Sequence, residues 1–181
     1  NGAWYKKTKN DYPECFGEVN LDDPFFQKRK LLFTLDLDAA EIFDKEGIEY
    51  KTYEPEKSRV SIRAIQRGSG KEAPIVLLNH SDVVPANADE WSVDPFGGEI
   101  KDGYVHGRGA LDMKGQAIVE LMAFLAIKRE GIKLNRDLIF LSVADEEAGG
   151  KMGAKYLIEN HMDDLKAGLV INEGGYGISN I

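Results

Sequence analysis

Ile75-Val76-Leu77-Leu78-Asn79-His80-Ser81-Asp82 is the stretch from which the fold can be read. Four consecutive apolar residues after the turn-forming Gly68-Ser69-Gly70 predict a strand buried on both faces, the pattern of parallel sheets covered by helices. At its carboxyl end the chain turns abruptly polar. The same grammar recurs twice: the apolar run Leu138–Val143 leads into Ala144-Asp145-Glu146-Glu147, and Leu169-Val170-Ile171 leads into Asn172-Glu173. Both runs are expected to be buried strands as well.

Working outward, AAEIFDKEG over 39–47 predicts a short helix closed by glycine. Val60, Ile62 and Ala64 alternate with polar residues, as in a half-buried strand. Asp102-Gly103 between short apolar stretches marks a hairpin, and 81–98 reads as a long irregular segment. Over 113–130, Ala117, Ile118, Leu121, Met122 and Leu125 form one helical stripe that Gly131 ends. A further helix is expected over 153–160. Strands alternating with helices predict an α/β fold: a three-layer sheet of mostly parallel strands with helices on both faces. Residues 1–34 show no period and are left unassigned, whereas 35–181 read as one unit.

Bulk properties narrow the function classes. The 181 residues can bury a sizeable core, and 43% hydrophobic with 30% charged residues is a globular composition. A net charge of −8 argues against a nucleic-acid partner, since phosphate binding requires clustered Lys and Arg. No apolar run approaches the ~20 residues that span a bilayer, and no signal pattern opens the chain. A cytoplasmic location is therefore expected, although the chain begins at Asn1 and so reads as a processed or truncated product. The single cysteine, Cys15, excludes a disulfide framework and a thiolate metal site.

The chemistry is expected where the strands end, because ligands of open α/β sheets bind outside the carboxyl ends of the strands. Three strands deliver His80, Asp82, Asp145, Glu146, Glu147 and Glu173 to one edge, and Asp112 joins them just before the long helix. Taken singly, each has a structural reading: His80-Ser81-Asp82 as a surface hydrogen-bonded pair, Asp112 as a helix N-cap, 145–147 as a solvated loop, Glu173 as part of a turn. Jointly they form a carboxylate cluster that would repel itself without a cation. One imidazole among carboxylates suits Zn, Mn or Co better than Ca or Mg. A shared carboxylate holding two ions ~3.5–4 Å apart is a usual co-catalytic arrangement. Other constellations fail. Gly107-Arg108-Gly109 lacks the third glycine of a dinucleotide fingerprint, Gly68-Ser69-Gly70-Lys71 is no phosphate loop, and there is no nucleophile elbow. His106 and His161 have no ligand-spaced companion and read as hairpin and helix surface.

In order along the chain, His80-Ser81-Asp82-Val83-Val84-Pro85, the segment from Trp91 to Gly98, GYVHGRGALDMKG over 103–115, Asp145-Glu146-Glu147 with Gly149-Gly150, and Asn172-Glu173-Gly174-Gly175 resemble the motifs of the M20 metallo-hydrolase and peptidase family. That family includes aminoacylases, deacetylases, desuccinylases and carboxypeptidases. The resemblance implies two zinc ions per full-length subunit, with Co or Mn as substitutes. It implies His80, Asp112, Glu147 and Glu173 as metal ligands, with Asp112 bridging, and Asp82 orienting His80. Glu146 would be the general base, and the Asp112–Met113 peptide bond would be cis. The implied reaction is amide hydrolysis in small N-acyl amino acids or short peptides, with a homodimer as one form of the parent. The family's lid domain and last histidine ligand lie beyond Ile181, so the chain is expected to be a poorly active N-terminal part of the catalytic domain. Asn172 stands where the family commonly has Asp. The alternatives are a catalytically silent relative serving as a binding or assembly module, and a non-hydrolytic metal protein.

Overall fold

A computed structural model describes residues 35–174; the unassigned segment 1–34 lies outside them. Helix α1 (Leu35–Glu46) ends at Gly47, whose φ of +60° is the left-handed conformation glycine adopts without a Cβ clash. Strands β1 (Glu49–Tyr53), β2 (Ser61–Gln66) and β3 (Ile75–His80) follow. The next segment carries only a short 3-10 turn, Ala88–Glu90, before the hairpin β4 (Glu99–Lys101) and β5 (Tyr104–His106). Its Asp102 and Gly103 both have positive φ, as a tight two-residue turn requires. Then come α2 (Lys114–Arg129), β6 (Leu138–Val143), α3 (Ala154–Leu165) and β7 (Leu169–Ile171).

The main sheet has the order β1-β2-β6-β3-β7. The pairs β6/β3 and β3/β7 are parallel, whereas β2 is antiparallel to both its neighbours. Four strands thus run one way and β2 runs against them. Strand-helix alternation could not reveal this reversal, because β1 and β2 are joined by the short segment 54–60, too short for a parallel crossover.

Helices cover both faces. Phe43 of α1 and Leu121, Phe124 and Leu125 of α2 pack with Ile62, Leu77 and Phe140 on one side. Leu157 of α3 packs with Val76, Ile139, Leu141 and Val143 on the other. The first layer centres on three fully buried rings: Phe43–Phe124, Phe43–Phe140 and Phe124–Phe140 have centroids 6.0, 5.9 and 6.1 Å apart. On the opposite face, Asp164 of α3 accepts hydrogen bonds from Lys51 and Tyr53 of β1, each at 2.8 Å.

Two strands differ from their sequence reading. β2 is buried along its whole length rather than on alternate residues, because it lies inside the sheet between two covered faces. Its polar groups find partners there: the Ser61 hydroxyl accepts from the Ala144 N–H, and Gln66 donates to the Phe124 carbonyl. Conversely β7, expected to be buried, leaves Leu169, Val170 and Ile171 about half exposed, at 50, 48 and 45%. It is the edge strand, with β3 its only strand partner among the described residues. β1 carries no clear apolar period and was not foreseen. No helix among the described residues is long and apolar enough to cross a membrane.

Truncating Phe140 to alanine should cost about 3–5 kcal/mol, the range for emptying an aromatic site in a core; urea unfolding measures it, and a negligible loss would contradict the three-ring core. A second expectation concerns acid. Hydrogen bonds from Lys51 and Tyr53 hold the Asp164 carboxyl below its ordinary 3.8, with burial opposing them. A lowered carboxylate pKa stabilises the fold above the ordinary value, and the benefit fades as pH falls through the lowered one. Asp164→Asn should therefore flatten the loss of stability below pH 3.8 while lowering stability at neutral pH.

Candidate metal centre

His80 ends β3 and is 1% exposed. Its neighbour in the parallel ladder is Val143, the last residue of β6, so the 144–147 loop leaves the sheet beside it. β7 pairs with β3 in register, Leu77 opposite Ile171, and Glu173 follows two residues later. Asp112 comes from the other direction, immediately before α2. The N-cap of α2 is Met113 and it makes no side-chain capping bond, so the capping reading of Asp112 does not apply. The Asp112–Met113 peptide bond is cis, as the resemblance implied.

These elements bring three carboxylates onto one imidazole nitrogen. His80 Nε2 lies 3.1 Å from Asp112 Oδ1, 3.4 Å from Glu173 Oε1 and 3.8 Å from Glu146 Oε2. Ligand atoms of His80, Asp112 and Glu173 all lie within 4.8 Å of one another. The other ring nitrogen, Nδ1, faces the Asp82 carbonyl oxygen at 3.0 Å. With a proton on Nδ1 donated to that carbonyl, Nε2 presents a lone pair to carboxylate oxygens, acceptor facing acceptor. A proton or a metal ion between them reconciles the two.

Electrostatics carry the same message. Burial opposes a charge on His80, but hydrogen bonds to Asp82 and Asp112 prevail and raise its pKa to about 9. Glu173 is raised too, first by burial and then by the charge of Asp112, with Glu146 adding to it and His80 opposing. Without a metal, a proton on His80 supplies the positive charge the cluster needs. One nitrogen and several carboxylate oxygens form a donor set that fits a zinc-type divalent ion replacing that proton.

Asp82 touches both the histidine and the loop: its Oδ1 lies 3.5 Å from His80 Nδ1. Its two carboxylate oxygens each accept a backbone N–H at 3.1 Å, Oδ1 from Glu146 and Oδ2 from Glu147. Burial would raise its pKa, but hydrogen bonds from His80 and from these two N–H groups lower it. Glu147 is not brought into the group around His80 Nε2: its Oε1 accepts from the Val84 N–H at 3.2 Å. The rest of the loop is held by Asp145, which the sequence reading placed at the sheet edge without a role of its own. It is buried with φ +69°, accepts from the Met152 N–H and pairs with Arg59 at 3.4 Å. Arg59 is far from any motif, and nothing in its surroundings in the sequence signals the contact.

The two remaining histidines lie away from the cluster. His161 is not plain helix surface but sits at a kink in α3, with its ring 4.7 Å from Tyr53 and 5.4 Å from Tyr156. His106 lies on the hairpin as expected, with its Nε2 buried and unpartnered among the described residues.

Residues 76–180 match the model of peptidase family M20/M25/M40. Over 102 residues, covering 55% of this chain and 25% of the relative, the sequence is 41% identical to aminoacylase-1 of Sus scrofa. It is 39% identical to the N-fatty-acyl-amino acid synthase/hydrolase PM20D1 of Xenopus tropicalis, covering 56% of this chain and 20% of that one. Human carnosine dipeptidase 1 superposes with a TM-score of 0.66 at 25% identity, over 86% of this chain and 35% of that one. An M20 family metallo-carboxypeptidase from Sulfolobus solfataricus gives 0.65 at 25% identity, over 84% and 38%. The chain thus spans about a quarter of the length of the aminoacylase it matches.

The two N–H bonds to Asp82 lead to a local test. Asp82→Ala should speed amide exchange at Glu146 and Glu147 by roughly ten- to hundredfold, as expected from ~1.5–3 kcal/mol for a hydrogen bond to a charged group. Unchanged exchange at both amides would mean that Asp82 does not hold the loop.

Proposed function

We propose, for a chain that belongs to peptidase family M20/M25/M40, that it hydrolyses an amide bond in N-acyl amino acids or short peptides at a zinc site built on His80, Asp112 and Glu173. The observation that carries this reading is the convergence of three carboxylate oxygens on His80 Nε2, at 3.1, 3.4 and 3.8 Å. His80 and Asp112 would hold metal between β3 and α2, Asp112 having a second oxygen with which to bridge two ions. Glu173 and Glu147 would each supply a terminal oxygen, and Glu147 must turn away from the Val84 N–H to do so. Co or Mn suits the same donors. When bound, the metal supplies Lewis-acid polarisation of the amide carbonyl and acidifies a water to a pKa near ~7.

This chain's own residues account for the proton. Glu146 is exposed enough for a substrate to reach, its Oε2 faces the cluster, and its backbone is pinned through Asp82. Oε2 takes the proton from the attacking water and passes it to the leaving amine, so one carboxylate serves as base and then acid. Asp82, accepting from both loop N–H groups, keeps Glu146 in place through the two transfers. The similarity to an aminoacylase and to an N-fatty-acyl-amino acid synthase/hydrolase favours N-acyl amino acids over longer peptides.

Assay of the complete protein on N-acetyl amino acids tests the reading. Activity should vanish on chelation and return with Zn, Co or Mn. Glu146→Gln should lower kcat by ~10²–10⁴-fold, the usual worth of general acid–base catalysis, while metal content is kept. A Glu146→Gln enzyme with the parent's kcat would remove Glu146 from the mechanism.

A further inference from the structure

Behind the cluster, on the α2 face of the sheet, lies a buried polar group that the proposed reaction does not use. Glu120 is 7% exposed in the middle of α2, on the same stripe as Ala117, Leu121 and Phe124. A carboxylate there costs free energy unless it is hydrogen-bonded. Asn79 donates to its Oε2 at 2.9 Å and Gln116, one turn earlier in the helix, donates to its Oε1 at 3.0 Å. Burial raises the Glu120 pKa while these two amides lower it, so the group is a desolvated acceptor held in place by donors.

Asn79 directly precedes His80. On the other side of His80, Ser81 offers its carbonyl to Lys114 Nζ at 2.5 Å, and Lys114 is also buried, at 6%. Two α2 side chains, one acceptor and one donor, therefore grip the residues flanking His80. Asp112 stands two residues before Lys114 on the same segment. The separation of His80 Nε2 and Asp112 Oδ1, from residues 32 apart in sequence, depends on how the end of β3 is docked on the first turns of α2.

We infer that Glu120, acting through Asn79, is a positioning residue that sets the His80–Asp112 spacing for metal binding. It touches neither metal ligand. Its effect passes through one amide to the backbone next to His80, as outer partners of metal ligands commonly act. The inference rests on the metal reading of His80 and Asp112 given above. Lys114 engages further groups, so the test belongs on Glu120.

Glu120→Met keeps the length of the side chain and removes the acceptor; Glu120→Gln keeps an oxygen for Asn79 and, with the Gln116 amide turned over, a second bond as well. Zinc affinity of the complete protein is measured by competition with a chromophoric chelator, alongside the thermal midpoint of the metal-free form. Glu120→Met should weaken zinc binding roughly 10–100-fold, the range for loss of an outer partner, and Glu120→Gln should recover most of it. Should Glu120→Met not fold, Asn79→Ala removes the donor instead and carries the same expected loss. A folded variant without the contact that binds zinc as the parent does, whatever its thermal midpoint, would leave the pair a packing feature only and overturn the inference. So would a Glu120→Gln protein as impaired as Glu120→Met. A parent that binds no zinc would remove the site itself, a result distinct from both.

Discussion

An imidazole nitrogen facing three carboxylate oxygens needs positive charge, and the surrounding structure serves to keep that demand in place. Water could screen such a cluster at an exposed surface. Here it cannot do so fully, because His80 is almost completely buried at the end of β3. The site therefore favours positive charge, and the raised pKa of His80 is the proton's version of that statement. Metal uptake at such a site releases the proton, which couples affinity to pH.

Convergence of this kind depends on strand register. β3 and β6 run parallel with His80 opposite Val143, and β7 brings Glu173 up beside them. A slip of one residue in β3 would turn His80 to the other face of the sheet. The apolar residues that prevent the slip are those of the two cores, with Leu77 and Phe140 on the α1/α2 side and Val76, Ile139 and Leu141 on the α3 side. Core packing and site geometry are thus the same constraint seen from two ends of the strand. The polar contacts refine it: Asp82 ties the 144–147 loop to the β3 end, and Glu120 and Lys114 tie α2 to the residues beside His80.

Much of this was legible along the chain. β6 and β7 were readable to the residue and β3 to within two, because a continuous apolar run between polar neighbours has few other ways to fold. His80, Asp112 and Glu173 were readable as one group because each stands where an element begins or ends, whereas Glu147, read with them as a ligand, accepts from the Val84 N–H instead. Glu120 carried a weaker signal, a charge on an apolar helical stripe. Arg59 carried none, since its partner Asp145 is distant in sequence.

By itself the sequence determined most of the strands and helices, β1 excepted, and which residues reach the sheet edge, because hydrophobic periodicity and the polar ends of apolar runs are local properties. The tertiary structure decided what depends on neighbours brought from elsewhere. β2 runs against the other strands, and it is buried on both faces because it lies between β1 and β6 with α1 and α2 over one side and α3 over the other. β7 is equally apolar in composition yet half exposed, because among the described residues it has a strand partner on one side only. The aim of a carboxylate is settled in the same way: Glu146 faces His80 while Glu147, the next residue, takes the Val84 N–H. Successive residues on a turn point in different directions, and only the groups across from them determine which one meets the imidazole.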